Sequence, residues 1–165
     1  MAIVLYTPGT PIVFSSSGTG GAVLTPTSVT TGAGRISARH DRGAGAIEAM
    51  YEWHASLVTA TAPTIGRTLR FFWAGANAAT GAANTDGGFS ETDQALSSID
   101  RLRNLHSMGQ VQADIASNPS TLVGRGLVEI RTRYIQAAFW NDLNCSLSGT
   151  AADLVLTLTP VPDSF

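Results

Sequence analysis

The chain has no lysine: all ten of its basic residues are arginine. It has one cysteine, Cys145, which excludes an internal disulfide framework and fits assembly in a reducing cytoplasm. No window approaches the ~18–20 apolar residues of a membrane span. The N-terminus lacks a basic segment ahead of its short apolar run, so no signal peptide is expected. The expectation is a soluble chain that is neither secreted by the usual route nor membrane-anchored. Charge of either sign is scarce, at 13% of residues against a usual ~25%. The net charge of −2 leaves no basic stripe for nucleic acid. A surface so poor in charge must be built from Thr, Ser, Ala, Gly and Asn. That suits a protein packed into an assembly; compositional drift accounts for it equally well.

The residues that are present read as strands. Residues 127–135 alternate Val128, Ile130, Thr132 and Tyr134 with Glu129, Arg131 and Arg133, and residues 153–161 alternate Leu154, Leu156 and Leu158 with polar neighbours. A period of two buries one face of a strand. Residues 137–147 lie between them as a third strand. Pro160 and Pro162 close the pattern. Upstream, residues 46–61 give the longest alternation and residues 68–74 an aromatic-rich strand. Weaker candidates are residues 22–30, 35–42 and 111–116. Residues 75–88 form a long loop of small side chains, of the length that often carries function. One helix is expected after it: Ser90 to Asp93 supply capping oxygens, Leu96, Ile99, Leu102 and Leu105 recur every three residues, and Gly109 ends it.

The fold class expected is therefore all-β, an antiparallel β-sandwich or jelly roll with one short helix. Its core should contain Tyr51, Trp53, Leu69, Phe71, Trp73, Val128, Ile130, Tyr134, Leu154, Leu156 and Leu158. Residues 22–165 make one domain. Residues 1–21 read as an extended N-terminal arm and hinge. Two apolar patches, residues 3–6 and 12–14, flank turn residues and precede a Ser/Gly linker. Such an arm pairs either with the edge of its own sheet or with a neighbouring subunit. Candidate partner-contact residues are Ile3, Val4, Leu5, Tyr6, Ile12, Val13 and Phe14, with Arg35 and Arg39. These two arginines and Arg42 form one loose basic group. Arg125, Arg131 and Arg133 form the other; the two groups could face each other or an acidic partner, while the ordinary reading is a solvated face.

Catalytic patterns fail one by one. His40, His54 and His106 fall on different elements without ligand spacing, so no metal is expected. No GxSxG elbow marks a serine. Cys145 sits in an apolar strand, as a buried thiol does. Glu48 and Glu52 would stand ~13 Å apart along a strand, beyond a glycosidase pair. Gly18 to Gly21 has no strand–loop–helix context for phosphate. No enzyme activity and no cofactor are expected. Trp53 and Trp73 read as core, while one of Phe139 and Trp140 should point outward. Outward tryptophans would suit a carbohydrate-binding sandwich.

One resemblance sharpens this. Leu102-Arg103-Asn104-Leu105 runs on to Met108-Gly109-Gln110-Val111. Arg133-Tyr134-Ile135 follows, then Asn141, and the chain closes on residues 154–163. Over residues 90–165 this layout resembles small jelly-roll capsid decoration (cement) proteins of tailed bacteriophages. The resemblance implies a virion protein made in the host cytoplasm, without catalysis. It would sit on an icosahedral capsid as homo-oligomers, trimers above all, and bridge major capsid protein subunits. A minor tail or head–tail connector protein of the same virion is the alternative.

Overall fold

The structure, a computed structural model, describes residues 9–17, 22–44 and 48–162. Among them ten strands build two antiparallel sheets of a β-sandwich. The first contains β1 (Ile12–Ser15), β4 (Met50–Val58), β8 (Thr121–Glu129) and β10 (Leu154–Pro160), in the order β1-β10-β4-β8. The second contains β2 (Ala33–Ile36), β5 (Thr68–Ala76), β6 (Gln94–Leu96), β7 (His106–Gln112) and β9 (Tyr134–Asn141), in the order β6-β2-β9-β5-β7. The two-residue β3 (His40–Asp41) sits beside β9.

Alternation places the core. Tyr51, Trp53, Ala55 and Leu57 of β4, with Leu154, Leu156 and Leu158 of β10, face Leu69, Phe71 and Trp73 of β5 and Phe139 of β9. The expected core forms as one cluster with a single exception. Tyr134 is half-buried, with the Arg133 guanidinium 4.9 Å from its ring centre. A second apolar cluster lies on the other side of the second sheet. There Ile36, Ala74, Ala138 and Trp140 meet Phe89, Leu96 and Leu102. Phe139 therefore points into the sandwich and Trp140 away from it, yet both are buried. This two-sided cover explains why β9 shows almost no alternation.

The expected helix is not present. Leu96 ends β6, residues Ile99–Leu102 form a single 3₁₀ turn capped by the Ser98 hydroxyl, and His106 opens β7. A three-residue spacing is also that of a 3₁₀ turn. Leu96 and Leu102 pack on Trp140, so burial, not helical periodicity, fixed their spacing. The strand expected over residues 127–135 is two strands: β8 stops at Glu129, and β9 begins at Tyr134 in the other sheet. Arg42 holds this corner by donating to the carbonyls of Ile130 (3.0 Å), Thr132 (2.6 Å) and Glu48 and to the Tyr51 hydroxyl (2.9 Å). Of residues 22–30, only Val23 makes a bridge, to Ser15.

The second apolar patch of the arm, residues 12–14, belongs to the domain. Residues Ile12–Ser15 pair antiparallel with β10, and Ile12 and Phe14 are core residues. The arm's own-sheet alternative is the one realised for this patch, and the domain includes residue 12. Ile3, Val4, Leu5 and Tyr6 lie outside the described residues, as do Gly18 to Gly21.

At the centre of the first sheet the Trp53 indole fills a slot made by glycines. A Cβ built on Gly109 would lie 2.5 Å from the ring, and one on Gly126 2.7 Å from its nitrogen. One on Gly124 would lie 2.3 Å from Val111 and 3.3 Å from the indole. Gly126→Ala should then cost ~1–3 kcal/mol through overpacking, read from urea unfolding. Phe14→Ala, in the strand expected as part of a pairing arm, should cost ~3–5 kcal/mol in the same assay. A loss under ~1 kcal/mol at Phe14 would mean that β1 is not part of the folded core.

Candidate functional site

The charged side chains are largely spent inside the fold. Arg35 makes a bidentate contact with Asp93 at 2.8 and 3.2 Å, binding β2 to the segment before β6. Arg39 donates to the carbonyls of Ala78 (2.9 Å), Gly81 (3.3 Å) and Phe89 (3.2 Å) and to the Thr85 hydroxyl. It thereby fastens the small-residue loop across the second sheet. Both arginines, expected at a partner contact, thus already have partners within the chain. Arg70 pairs with Asp142 at 2.5 Å, and Arg133 with Asp41 at 2.7 and 2.8 Å. Of the two basic groups, Arg42 and Arg133 are the members that meet, through the Arg42 N–H donating to the Arg133 carbonyl at 2.9 Å.

Buried amides secure the remaining connections. Asn141 donates to the carbonyls of Val29 (3.0 Å) and Cys145 (2.8 Å) and accepts from the Leu143 N–H (2.9 Å). Gln136 donates to the carbonyls of Ser37 (2.7 Å) and Ser90 (2.9 Å). Cys145 is buried, and burial pushes its thiol up from the usual range.

The histidines stay apart. His40 is edge-on to Phe14, His54 is exposed on β4, and His106 stacks on Trp73 at 4.3 Å with its Nε2 3.3 Å from Asp86. Among the described residues no His, Cys, Asp and Glu side chains gather to hold a metal ion. Glu52 and His54 are both on the outer face of β4. The three tryptophans are all buried, so the stacking platform of the carbohydrate reading is not formed. A shallow pocket of ≈ 260 Å³ remains beside Asp86, lined by Gly75, Ala76, Asn77, Asn84 and Thr132.

The feature that stands out is a difference between the two sheets. The outer side of the second is covered by residues 82–105, whereas among the described residues no segment covers the first beyond Ser15, which residues 22–24 bury. Its rows follow from the strand register. Val13, Thr157, His54 and Arg125 form one; Ser15, Val155, Ser56 and Val123 the next; and Thr159, Glu52 and Leu127 a third. Val123 is 58% and Leu127 64% exposed. Sequence reasoning named Val13 but missed Val123 and Leu127. The signal was there: Leu122, Gly124, Gly126 and Val128 alternate inward, which turns both apolar side chains out.

The exposed Asp41–Arg133 pair can be checked directly. Asp41 is lowered from 3.8 to about 2, first by its hydrogen bonds to Arg133 and then by the Gly43 N–H. Its folded value lies below the unfolded one, so the pair's contribution is complete above pH ~4 and is lost as pH falls through ~2. A carboxyl NMR titration should give that low midpoint, and Arg133→Ala should return it towards ~3.9. An unchanged midpoint in the variant would assign the shift to Gly43 alone.

No family model matches this sequence, and no curated protein matches it, so function has to be argued from the bare sheet and its edge.

Proposed function

We propose that the chain is a non-enzymatic structural protein that docks on other protein subunits through the outer face of its first sheet. Its place on this reading is the surface of an icosahedral bacteriophage capsid, where it bridges neighbouring major capsid subunits. The observation that carries the docking is the uncovered sheet. Val13, Val155 and Val123 share its face with Ser56, Thr157 and Thr159, and the charged side chains are few. The short uncharged side chains of β1 and β10 lose little on desolvation, and the charges of the face, Glu52 and Arg125, lie on β4 and β8. The capsid itself comes from the sequence resemblance. Binding only the assembled shell would stabilise that shell by mass action, and a lattice multiplies weak contacts through effective concentration.

A second reading has one observation in its favour. The pocket beside Asp86 offers the amides of Asn77 and Asn84, a carboxylate and the Thr132 hydroxyl, groups that suit the hydroxyls of a glycan.

Co-sedimentation tests the first reading. The purified protein should pellet with shells of the virus whose genome encodes it, and Thr157→Arg should weaken that binding by about tenfold while near-UV circular dichroism is unchanged. Protein that stays in the supernatant with shells but pellets with tails would move the role to the tail or connector. Binding that Thr157→Arg leaves intact would remove the sheet face from the account.

A further inference from the structure

Four strands end the two sheets, and three of them are protected. The edge of β1 is partly covered by residues 22–24, where Ser15 N–H donates to Ala22 (3.3 Å) and Leu24 N–H donates to Ser15 (3.0 Å). β6 has only three residues. β7 is broken by a bulge opposite Phe71 and Phe72 and turns polar side chains outward. The fourth, β8, runs for nine residues without proline or bulge and carries Val123 and Leu127 outward; β7 lies against its inward glycines, and among the described residues no strand pairs with its outer edge. Such an edge is a template for another strand.

The polar groups of that edge can be assigned. Thr59 N–H donates to the Ser120 carbonyl (2.9 Å) and Ile130 N–H to that of Ala49 (2.7 Å), and both pairs continue the β4–β8 register. Directly opposed residues that exchange hydrogen bonds alternate with residues that do not. The even-numbered residues of β8 therefore bond to β4. The N–H and C=O groups of Thr121, Val123, Arg125, Leu127 and Glu129 point out of the edge.

We infer that this edge pairs with the same edge of a second copy, antiparallel and about a two-fold axis at Leu127. In that register the two Leu127 side chains are opposed, and each Arg125 faces Glu129 of the second copy. Two opposite-charge cross-strand pairs then flank an apolar one, each a stabilising combination. Moving the axis to Arg125 would oppose two guanidinium groups. Moving it to Gly126 would set both charges against apolar side chains. The charges that keep the edge soluble in the monomer thus select one register in the dimer. The Arg131 contact that Glu129 makes within its own chain is exposed and competes only weakly. The two sheets become one of eight strands, and the interface is isologous. The pairing is two-fold and replaces the three-fold association that the resemblance implies. It does not rest on the capsid reading: a monomer would leave docking through the sheet face standing, and failure to bind shells would leave the dimer standing.

Sedimentation equilibrium of the full chain should give twice 17.2 kDa. Arg125→Glu and Glu129→Arg should each weaken the dimer about tenfold or more, and the double reversal should restore it. Both side chains are exposed, so near-UV circular dichroism should not change. If either variant loses that signal, Leu127→Asn reads the same edge, and it should weaken the dimer as well. A wild-type chain that stays monomeric to millimolar concentration overturns the proposal. So does a dimer indifferent to both single reversals, or to Leu127→Asn where that is the variant read, or a double reversal that stays monomeric.

Discussion

The Trp53 indole is the wedge on which the arrangement of the strands depends. It lies against Phe71 of the facing sheet with ring centres 5.7 Å apart, and Gly109, Gly124 and Gly126 leave it room. Among the described residues its buried nitrogen finds no hydrogen-bond partner, an omission that costs ~1–3 kcal/mol. Burial of so large an apolar body offsets that loss. The consequence falls on β8. With no inward side chain at Gly124 or Gly126, the strand is anchored by Leu122, Val128 and its ladder to β4. Glycine in a strand interior weakens it. The strand that makes room for the wedge is also the one left with a free edge, and a second strand there would restore the pairing it lacks.

A second constraint makes the sandwich one-sided. Arginines, which hold several donors in a fixed plane, suit groups of carbonyls that curve around them. Arg39 uses this to fasten the loop over the second sheet, and Arg42 to fix the crossing from β8 to β9. With residues 82–105 held there, the second sheet is buried on both faces and the first on one. Outer face and core are separated by this layering, so substitutions on the outer face of the first sheet do not reach the packing beneath it.

The strands with one buried face were legible because their side chains alternate; β4 and β10 carry the period over most of their length. The second sheet was harder. A strand buried on both faces loses its alternation, and the segment that covers it needs only a few apolar contacts. Leu96, Leu102 and Leu105 met that need at a spacing shared by an α-helix and a 3₁₀ turn. The corner at residues 130–133 was hidden for another reason: Val128 and Ile130 are buried in phase, so the pattern runs through a break that Arg42 creates from far away in sequence. Arg35, Arg39 and Arg42 looked like a basic group because sequence shows charge but not the carbonyls that satisfy it. Ile12 and Phe14 carried the period of two, yet four residues are too few to tell an edge strand from an exchanged arm.

What remains at the surface has the chemistry of contact between proteins. On the proposed pairing, two bare sheet faces lie side by side in one continuous sheet, related by the two-fold axis at Leu127. A subunit that docks on one face brings the second to its neighbour at high effective concentration, so two weak contacts act as one strong one. Away from that face, Arg35, Arg70 and Arg133 already have carboxylate partners within the chain. Arg125 is an exposed guanidinium on the free edge, and Glu129 is the carboxylate on the same face of β8. Their separation by four residues places them on one face of a strand, too far apart to neutralise each other along it but correctly spaced to do so across a two-fold axis.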